Sequence, residues 1–223
     1  MLMPHIRLFN YHILSLLLIL FTINLVLMLF INYKDDATIT NNYVVYGCLK
    51  MKKALFLDRD GIVNIDKAYL YRPEDVEFVE GIFDLLKTAQ DSGYEIIIVT
   101  NQSGVARGKY SHDDVKALHL WMQEQFAAKS IIIKDFLYCP HHPKYSEPCE
   151  CRKPAPGMIN EAIAKYDINA NESIIIGDKQ SDMQAGENAG LKLCILLASQ
   201  YVEGKVPESD YYIETLSEAS QYL

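Results

Sequence analysis

Two aspartates stand two residues apart in Asp58-Arg59-Asp60-Gly61, a spacing that lets two carboxylates share one site with different duties. One can attack phosphorus as a covalent nucleophile. The other, partly protonated, can donate to the leaving oxygen and then activate water. Asp178 and Asp182, in Gly177-Asp178-Lys179-Gln180-Ser181-Asp182, would add negative charge that is unfavourable unless a cation joins it, and Mg²⁺ suits such an all-oxygen set. Thr100, which opens Thr100-Asn101-Gln102-Ser103-Gly104, and Lys153, in Arg152-Lys153-Pro154, would offset the charge of a transferring phosphoryl group. Each has an ordinary reading on its own: an Asp after a strand often caps a turn, and Thr is common in strands. Their joint order, each beyond an apolar run, is what points to phosphoryl chemistry.

A different donor set lies in Cys139-Pro140-His141 and Cys149-Glu150-Cys151. Thiolates and an imidazole in a closed set of four favour tetrahedral zinc with no position left for substrate. Such a site would be structural, holding a loop with little core of its own and aiming Arg152 and Lys153. Unliganded thiols at this spacing would be a liability, and His142 is an alternative to His141 as ligand. The chain has five cysteines; an odd count, clustered beside histidines, reads as a metal site in a reducing, cytoplasmic setting rather than a disulfide framework.

The elements that must position these groups follow from short apolar runs. Ala54–Leu57, Glu95–Thr100, Ile131–Tyr138, Ser173–Ile176, Leu193–Leu197 and Tyr211–Ile213 predict strands, the longer ones buried and parallel. Between them, Ile82, Phe83, Leu85, Leu86 and Ala89 suggest a helix stopped by Gly93. Ser111 caps a second that runs to about Lys129, Pro156–Tyr166 a third, and Ser181–Ala189 a fourth closed by Gly190. The alternation predicts an α/β fold: a three-layer, doubly wound parallel sheet, with too short an insertion after the first strand for a large cap domain. Ligands of such sheets sit beyond the carboxyl ends of the strands. Trp121 and Phe126 are expected in the core, and His112 and His119 on a helix surface or in packing. Arg107 reads equally as a contact to a second phosphate or as a solvated loop residue.

In the order Asp58-x-Asp60, Thr100, Lys153, Asp178 and Asp182, the chain resembles the haloacid dehalogenase-type phosphatases across residues 51–223. The wording FLDRDG, TNQSGVARG, CxCRKPxPGM and GDKxxDMxA resembles, more specifically, the heptose bisphosphate phosphatases and the related histidinol phosphatases. The resemblance implies Asp58 as nucleophile and Asp60 as general acid and base. Mg²⁺ would be held by Asp58, Asp178 and the backbone carbonyl of Asp60, with Asp182 just behind. Thr100 and Lys153 would grip phosphate, while Arg59, Asn101, Gln102, Ser103, Arg152 and Lys179 would join Asp66 and Tyr69 as phosphate or substrate contacts. It favours His141 over His142 beside Cys139, Cys149 and Cys151. At one place the chain departs from the pattern: Ala68-Tyr69-Leu70 stands where relatives often have Gly-Tyr-Val. The implied activity is removal of the 7-phosphate from a heptose 1,7-bisphosphate in nucleotide-heptose synthesis. Histidinol-phosphate hydrolysis is the runner-up and a non-catalytic phosphosugar binder the distant alternative.

The first fifty residues are of another kind. Ile13 to Ile31 run without a charge, long enough to span a bilayer. A membrane anchor, a secretory leader with no cleavage pattern, and upstream sequence before a start at Met51-Lys52-Lys53 are the three readings, and the last is the expectation. A membrane partner is expected only if residues 13–31 are an anchor. The net charge of −8 argues against nucleic acid, which needs an extended basic surface. A small phosphosugar and a monomer remain as the expected partner and state.

Overall fold

The computed structural model describes residues 51–223, together with the backbone of two short strands, Ile39–Thr40 and Tyr43–Val44, which pair antiparallel. The chain divides into two units, Met1–Lys50 and Met51–Leu223. The candidate span at 13–31 lies outside the described residues. Among those residues no helix is long and apolar enough to cross a membrane.

Six strands form one sheet: β1 (Lys53–Leu57), β2 (Tyr94–Asn101), β3 (Ile133–Cys139), β4 (Ile174–Gly177), β5 (Leu193–Leu197) and β6 (Tyr211–Ile213). Their order is β3-β2-β1-β4-β5-β6, and every pairing is parallel. Leu55 of β1 lies opposite Ile96 on one side and Ile174 on the other. The chain therefore winds outward from β1 to β3, then returns to begin again at β4. That reversal opens a crevice at the carboxyl ends of β1 and β4, where ligands of open α/β sheets bind.

Side-chain alternation along each strand feeds two cores. Leu55 and Leu57 join Ile96, Ile98, Ile174 and Ile176 against helices α1 (Ile82–Asp91), α2 (His112–Ala127) and the short α5 (Leu216–Ala219). Ala54 and Phe56 join Ile97, Val99 and Ile175 against α3 (Gly157–Tyr166) and α4 (Gln180–Asn188) on the other face. This is the expected three-layer arrangement, and its central strands are apolar on both sides because both sides are covered. Fully buried Leu118, Met122 and Phe126 give α2 its grip on the sheet, at roughly 1.5–3 kcal/mol each.

Helix starts follow local chemistry. Ser111 and Asp114 form a reciprocal capping box at α2, Asp114 N donating to Ser111 Oγ at 3.1 Å and Ser111 N to Asp114 Oδ2 at 2.7 Å. At α4 the Lys179 amide donates to Asp182 Oδ2 at 3.0 Å, so a carboxylate of the site also caps the helix that carries it. β3 begins at Ile133 rather than Ile131, because the chain leaves Ser130 at φ +59 and turns Ile132 outward, 72% exposed. Between β1 and α1 the chain makes a small flap, Ile65 N bonding Glu77 O at 2.8 Å and Val79 N bonding Val63 O at 3.1 Å. Among the described residues no larger cap is inserted there.

Candidate active site

Asp58 continues β1 by one residue, its amide donating to Ile176 O of β4 at 3.1 Å, which places its carboxylate at the crevice. Asp178 follows β4 directly. The two loops close tightly at Gly61, which sits at φ +102 where a Cβ would run into the Asp178 carboxylate; only glycine meets both demands. Asp58, Asp178 and Asp182 are all buried, with one carboxylate oxygen from each within 4.8 Å of the others.

Lys153 is the buried counter-charge. Its Nζ lies 2.9 Å from Asp58 Oδ1 and 2.6 Å from Asp182 Oδ1 as ion pairs, and donates a hydrogen bond to Val99 O at 2.7 Å. Asn101 holds it in place: Asn101 Oδ1 accepts from Lys153 N and Asn101 Nδ2 donates to Lys153 O, both at 3.1 Å. Burial works against the charged amine, but Asp182 and Asp58 outweigh it and raise Lys153 above its usual value. Lys179 Nζ approaches Asp178 Oδ1 at 3.2 Å.

Even with both lysines in contact, the cluster is short of positive charge. Burial, with repulsion from Asp182 and despite Lys153, pushes Asp58 up to about 6. Burial and the Asp58 charge push Asp178 up to about 8. Asp58 and Asp178, which resist ionising, form with Asp182 a hard, all-oxygen donor set able to take a divalent cation.

Asp60 lies in a different environment. Burial would raise it, but the Arg59 charge and hydrogen bonds from Asn64 and Gln102 outweigh burial and hold it below the usual carboxylate range. Gln102 Nε2 donates to Asp60 Oδ2 at 2.8 Å and to Thr100 Oγ1 at 2.9 Å. Tyr110 fixes that amide by donating its phenol to Gln102 Oε1 at 2.6 Å. Thus two neighbouring carboxylates are driven apart in acidity, Asp58 upward and Asp60 downward.

The cleft over these groups measures about 440 Å³ and is lined by Asp58, Asp60, Asp66, Tyr69, Thr100, Asn101, Gln102, Ser103, Arg152, Lys153, Lys179 and Asp182, among others. The structure therefore brings most of the sequence-expected residues to the cleft, and Asp178, which is not in its lining, clusters behind it with Asp58 and Asp182. Arg59 does not reach the cleft. Its side chain is fully buried, Nη2 bonding Asp60 Oδ1 at 3.0 Å and Leu70 O at 3.1 Å, while Nη1 meets His119 Nε2 at 3.2 Å. Neighbouring residues of an extended chain point opposite ways, so Arg59 faces the interior where Asp58 faces the crevice. Burial, and then the Arg59 charge, push His119 down to about 3; the neutral ring accepts from Arg59.

Ala68 adopts φ +55, a left-handed turn that a non-glycine residue occupies at a cost of about 1 kcal/mol. The loop keeps this turn although the glycine of the family pattern is missing, helped by Ala68 N donating to Asp66 Oδ1 at 2.9 Å.

Beside the cleft, Cys139, His141, Cys149 and Cys151 gather their donor atoms within 4.8 Å. Sγ of Cys139 stands 2.8 Å from that of Cys151 and 3.6 Å from that of Cys149, and His141 Nδ1 lies 3.3 Å from Cys151 Sγ. The edge of a tetrahedral thiolate-zinc site is about 3.7 Å, so this soft, four-fold set needs only small adjustment to close on such an ion. The loop is tied to the phosphate-side groups: Gln102 N bonds Cys139 O at 2.8 Å, and Arg152 Nη1 bonds His141 O at 3.1 Å. Arg107 turns towards His142, at 2.7 Å, rather than lining the cleft.

Residues 150–219 match the family model described as HAD-hydrolase-like. Over 162 residues the chain is 43% identical to D-glycero-alpha-D-manno-heptose-1,7-bisphosphate 7-phosphatase of Photorhabdus laumondii, covering 70% of this chain and 88% of the relative. The chain belongs to the heptose-1,7-bisphosphate 7-phosphatase family. It is thereby a phosphoric monoester hydrolase of the haloacid dehalogenase superfamily. A second member of the family, the beta-anomer enzyme of Pasteurella multocida, is 38% identical over 179 residues, covering 78% of this chain and 97% of that one. Among solved structures, the D,D-heptose 1,7-bisphosphate phosphatase of B. bronchiseptica, complexed with magnesium and phosphate, matches with a TM-score of 0.68 at 29% identity, covering 76% of this chain and 97% of that one.

Sequence reasoning about this phosphatase missed Asn64, Tyr110, Ser199 and Tyr201, while His119, expected on a helix surface or in packing, is buried against Arg59 and Phe136. Ser199 carried a signal, since it follows β5 as the other site residues follow their strands, and its hydroxyl donates to the Asp178 carbonyl at 2.6 Å. The Arg59–His119 contact carried none, because the two residues stand 60 positions apart.

Proposed function

We propose that the protein hydrolyses the 7-phosphate of D-glycero-D-manno-heptose 1,7-bisphosphate through a phosphoryl group carried on Asp58. The observation that carries this reading is the convergence of Asp58, Asp60 and Lys153 on one cleft, with Asp178 clustered against Asp58, in a chain 43% identical to such an enzyme. Asp58 Oδ1 is occupied by the Arg59 amide at 2.7 Å and by Lys153, which leaves Oδ2 to attack phosphorus. As the Asp58–phosphorus bond forms, the bond to the sugar oxygen breaks and that oxygen takes a proton from Asp60. Asp60 is ionised at rest, and the incoming phosphoryl anion favours its protonated form, the form that donates. Asp60 then takes a proton from water as the water oxygen attacks phosphorus and releases Asp58. Lys153 and the Thr100 hydroxyl stay beside the phosphoryl oxygens throughout.

Asp58, Asp178 and the Asp60 carbonyl are the groups that would hold Mg²⁺, which when bound supplies the positive charge this cluster lacks. Asp182 sits behind them, engaged with Lys153 and the start of α4. Cys139, His141, Cys149 and Cys151 would hold zinc in a structural role. Asp66, Tyr69, Asn101, Gln102, Ser103, Arg152 and Lys179 are placed to contact substrate or its neighbours. A thiolate zinc site is consistent with a cytoplasmic setting.

The test is phosphate release by the full chain with Mg²⁺, comparing the heptose bisphosphate with histidinol phosphate. The expected result is a preference of about a hundredfold or more for the bisphosphate, roughly 2.7 kcal/mol of discrimination. Preference for histidinol phosphate would overturn the substrate and keep the chemistry.

A further inference from the structure

Five residues from three segments close a ring of polar contacts beside the cleft, which Asp66 and Lys179 line. Ser199 Oγ donates to the Asp178 carbonyl at 2.6 Å and accepts from the Tyr201 amide at 3.1 Å. Tyr201 sends its phenol back to Asp66 Oδ2 at 2.8 Å. Lys179 Nζ lies 3.4 Å from the same Asp66 oxygen and 3.2 Å from Asp178 Oδ1, which completes the ring.

Tyr201 is half-exposed, 48%, yet both its amide and its phenol are held. Its turn is built by a bridge between Ser199 and Val202, and its ring lies under the Lys179 ammonium at 4.3 Å. Asp66 is fixed from the other side through the Ala68 amide. An aromatic that merely covered surface would need none of this. The arrangement sets a carboxylate acceptor and an ammonium donor side by side in the cleft lining, the pair that a chain of vicinal hydroxyls can both donate to and accept from.

We propose that Tyr201 is a specificity-determining positioning residue, which holds Asp66 and Lys179 in register for the hydroxyls of a polyol phosphate. The inference rests on the phosphosugar reading above and adds a residue from the turn after β5 to the substrate-selecting groups. Without the phenol, Asp66 loses one of two partners on Oδ2, and Lys179 is left to settle on Asp178. The loss then falls on the part of the substrate beyond the phosphoryl group.

The test compares wild type, Tyr201→Phe and Tyr201→Ala, as full chains with Mg²⁺, on heptose 1,7-bisphosphate and on p-nitrophenyl phosphate, an ester that offers no polyol. The ratio of kcat/KM for the sugar to that for the aryl ester is expected to fall about fivefold in Tyr201→Phe, the worth of one hydrogen bond. A larger fall is expected in Tyr201→Ala, carried by KM rather than kcat in both variants. An unchanged ratio, or equal losses on both esters, overturns the proposal. Should wild type hydrolyse p-nitrophenyl phosphate but reject the heptose bisphosphate, the substrate reading fails by itself. The same ratio is then taken on the best substrate in a panel of hexose and pentose phosphates, where a fall supports Tyr201 and constancy sinks it.

Discussion

Asp58 and Asp178 are held where ionising is unfavourable, and that has a sign for stability. Both have folded-state values above the unfolded one, about 6 and about 8 against 3.8. The folded chain therefore binds more protons than the unfolded chain across that interval. The stability these groups contribute is complete below the unfolded value and is lost as pH rises through 6 and then 8. Asp60 is shifted downward, so its contribution is lost only as pH falls through the acid range, outside this window. In Mg²⁺-free buffer the melting temperature should fall by several degrees between pH 5 and pH 8, and added Mg²⁺ should restore more at pH 8 than at pH 5. Asp58→Asn should flatten the metal-free profile and melt at or above wild type near pH 7.5. Its turnover should drop by about four orders of magnitude or more, as for loss of a covalent nucleophile. Calorimetry across pH, beside an assay of phosphate release, checks both halves; a metal-free stability that climbs from pH 5 to 8 would contradict the account.

At the scale of elements, the strands were legible because parallel strands covered on both faces are unbroken apolar runs, as Glu95–Thr100 is, and because punctuation by Gly93 and Gly190 is local. The strand-end residues were legible for the same reason. What was not legible needs a partner far away in sequence: the Arg59–His119 contact joins the loop after β1 to α2 across 60 positions, and Tyr201 meets Asp66 across 135. Arg59 is the instructive error. The resemblance implied a phosphate or substrate contact, but the Arg59 side chain turns inward and is fully buried on His119 and Leu70. The Cys/His loop shows the converse, since its donors are close in sequence: spacing foretold the cluster, and the resemblance chose His141 over His142. The loop carries few apolar residues, so its shape depends on what the four donors hold. Replacing Cys149 and Cys151 together by Ser should release zinc and raise KM for the sugar bisphosphate several-fold, because the loop's bonds to Gln102 and Arg152 slacken while Asp58 stays on β1. Zinc content by mass spectrometry and steady-state kinetics on one preparation check this, and zinc retained in the double variant would show that other atoms bind it.

For the whole molecule, the question is how much of the chain the activity requires. Among the described residues, both hydrophobic cores, the six-stranded sheet, the cleft and the Cys/His cluster are built from residues within 51–223. The central strand β1 starts at Lys53, and the residues just before it are tied in by ordinary backbone bonds, Lys52 N to Asp167 O at 3.1 Å and Asn169 N to Lys52 O at 2.7 Å. The relatives align over 162 and 179 residues and are covered to 88% and 97% of their lengths, so a chain of that size suffices for a member of this family. Stability in a domain of this size comes from burial that scales with its own core rather than with appended sequence. Residues 51–223 produced alone should therefore melt within a few degrees of the full chain and turn over the sugar bisphosphate with kcat/KM within about twofold, a difference below 0.5 kcal/mol. The full chain and the 51–223 chain would be compared in one detergent-containing buffer, so that the apolar run at Ile13–Ile31 does not decide the outcome by aggregation. A shorter chain that folds but loses tenfold or more would place a working part of the enzyme upstream of Met51.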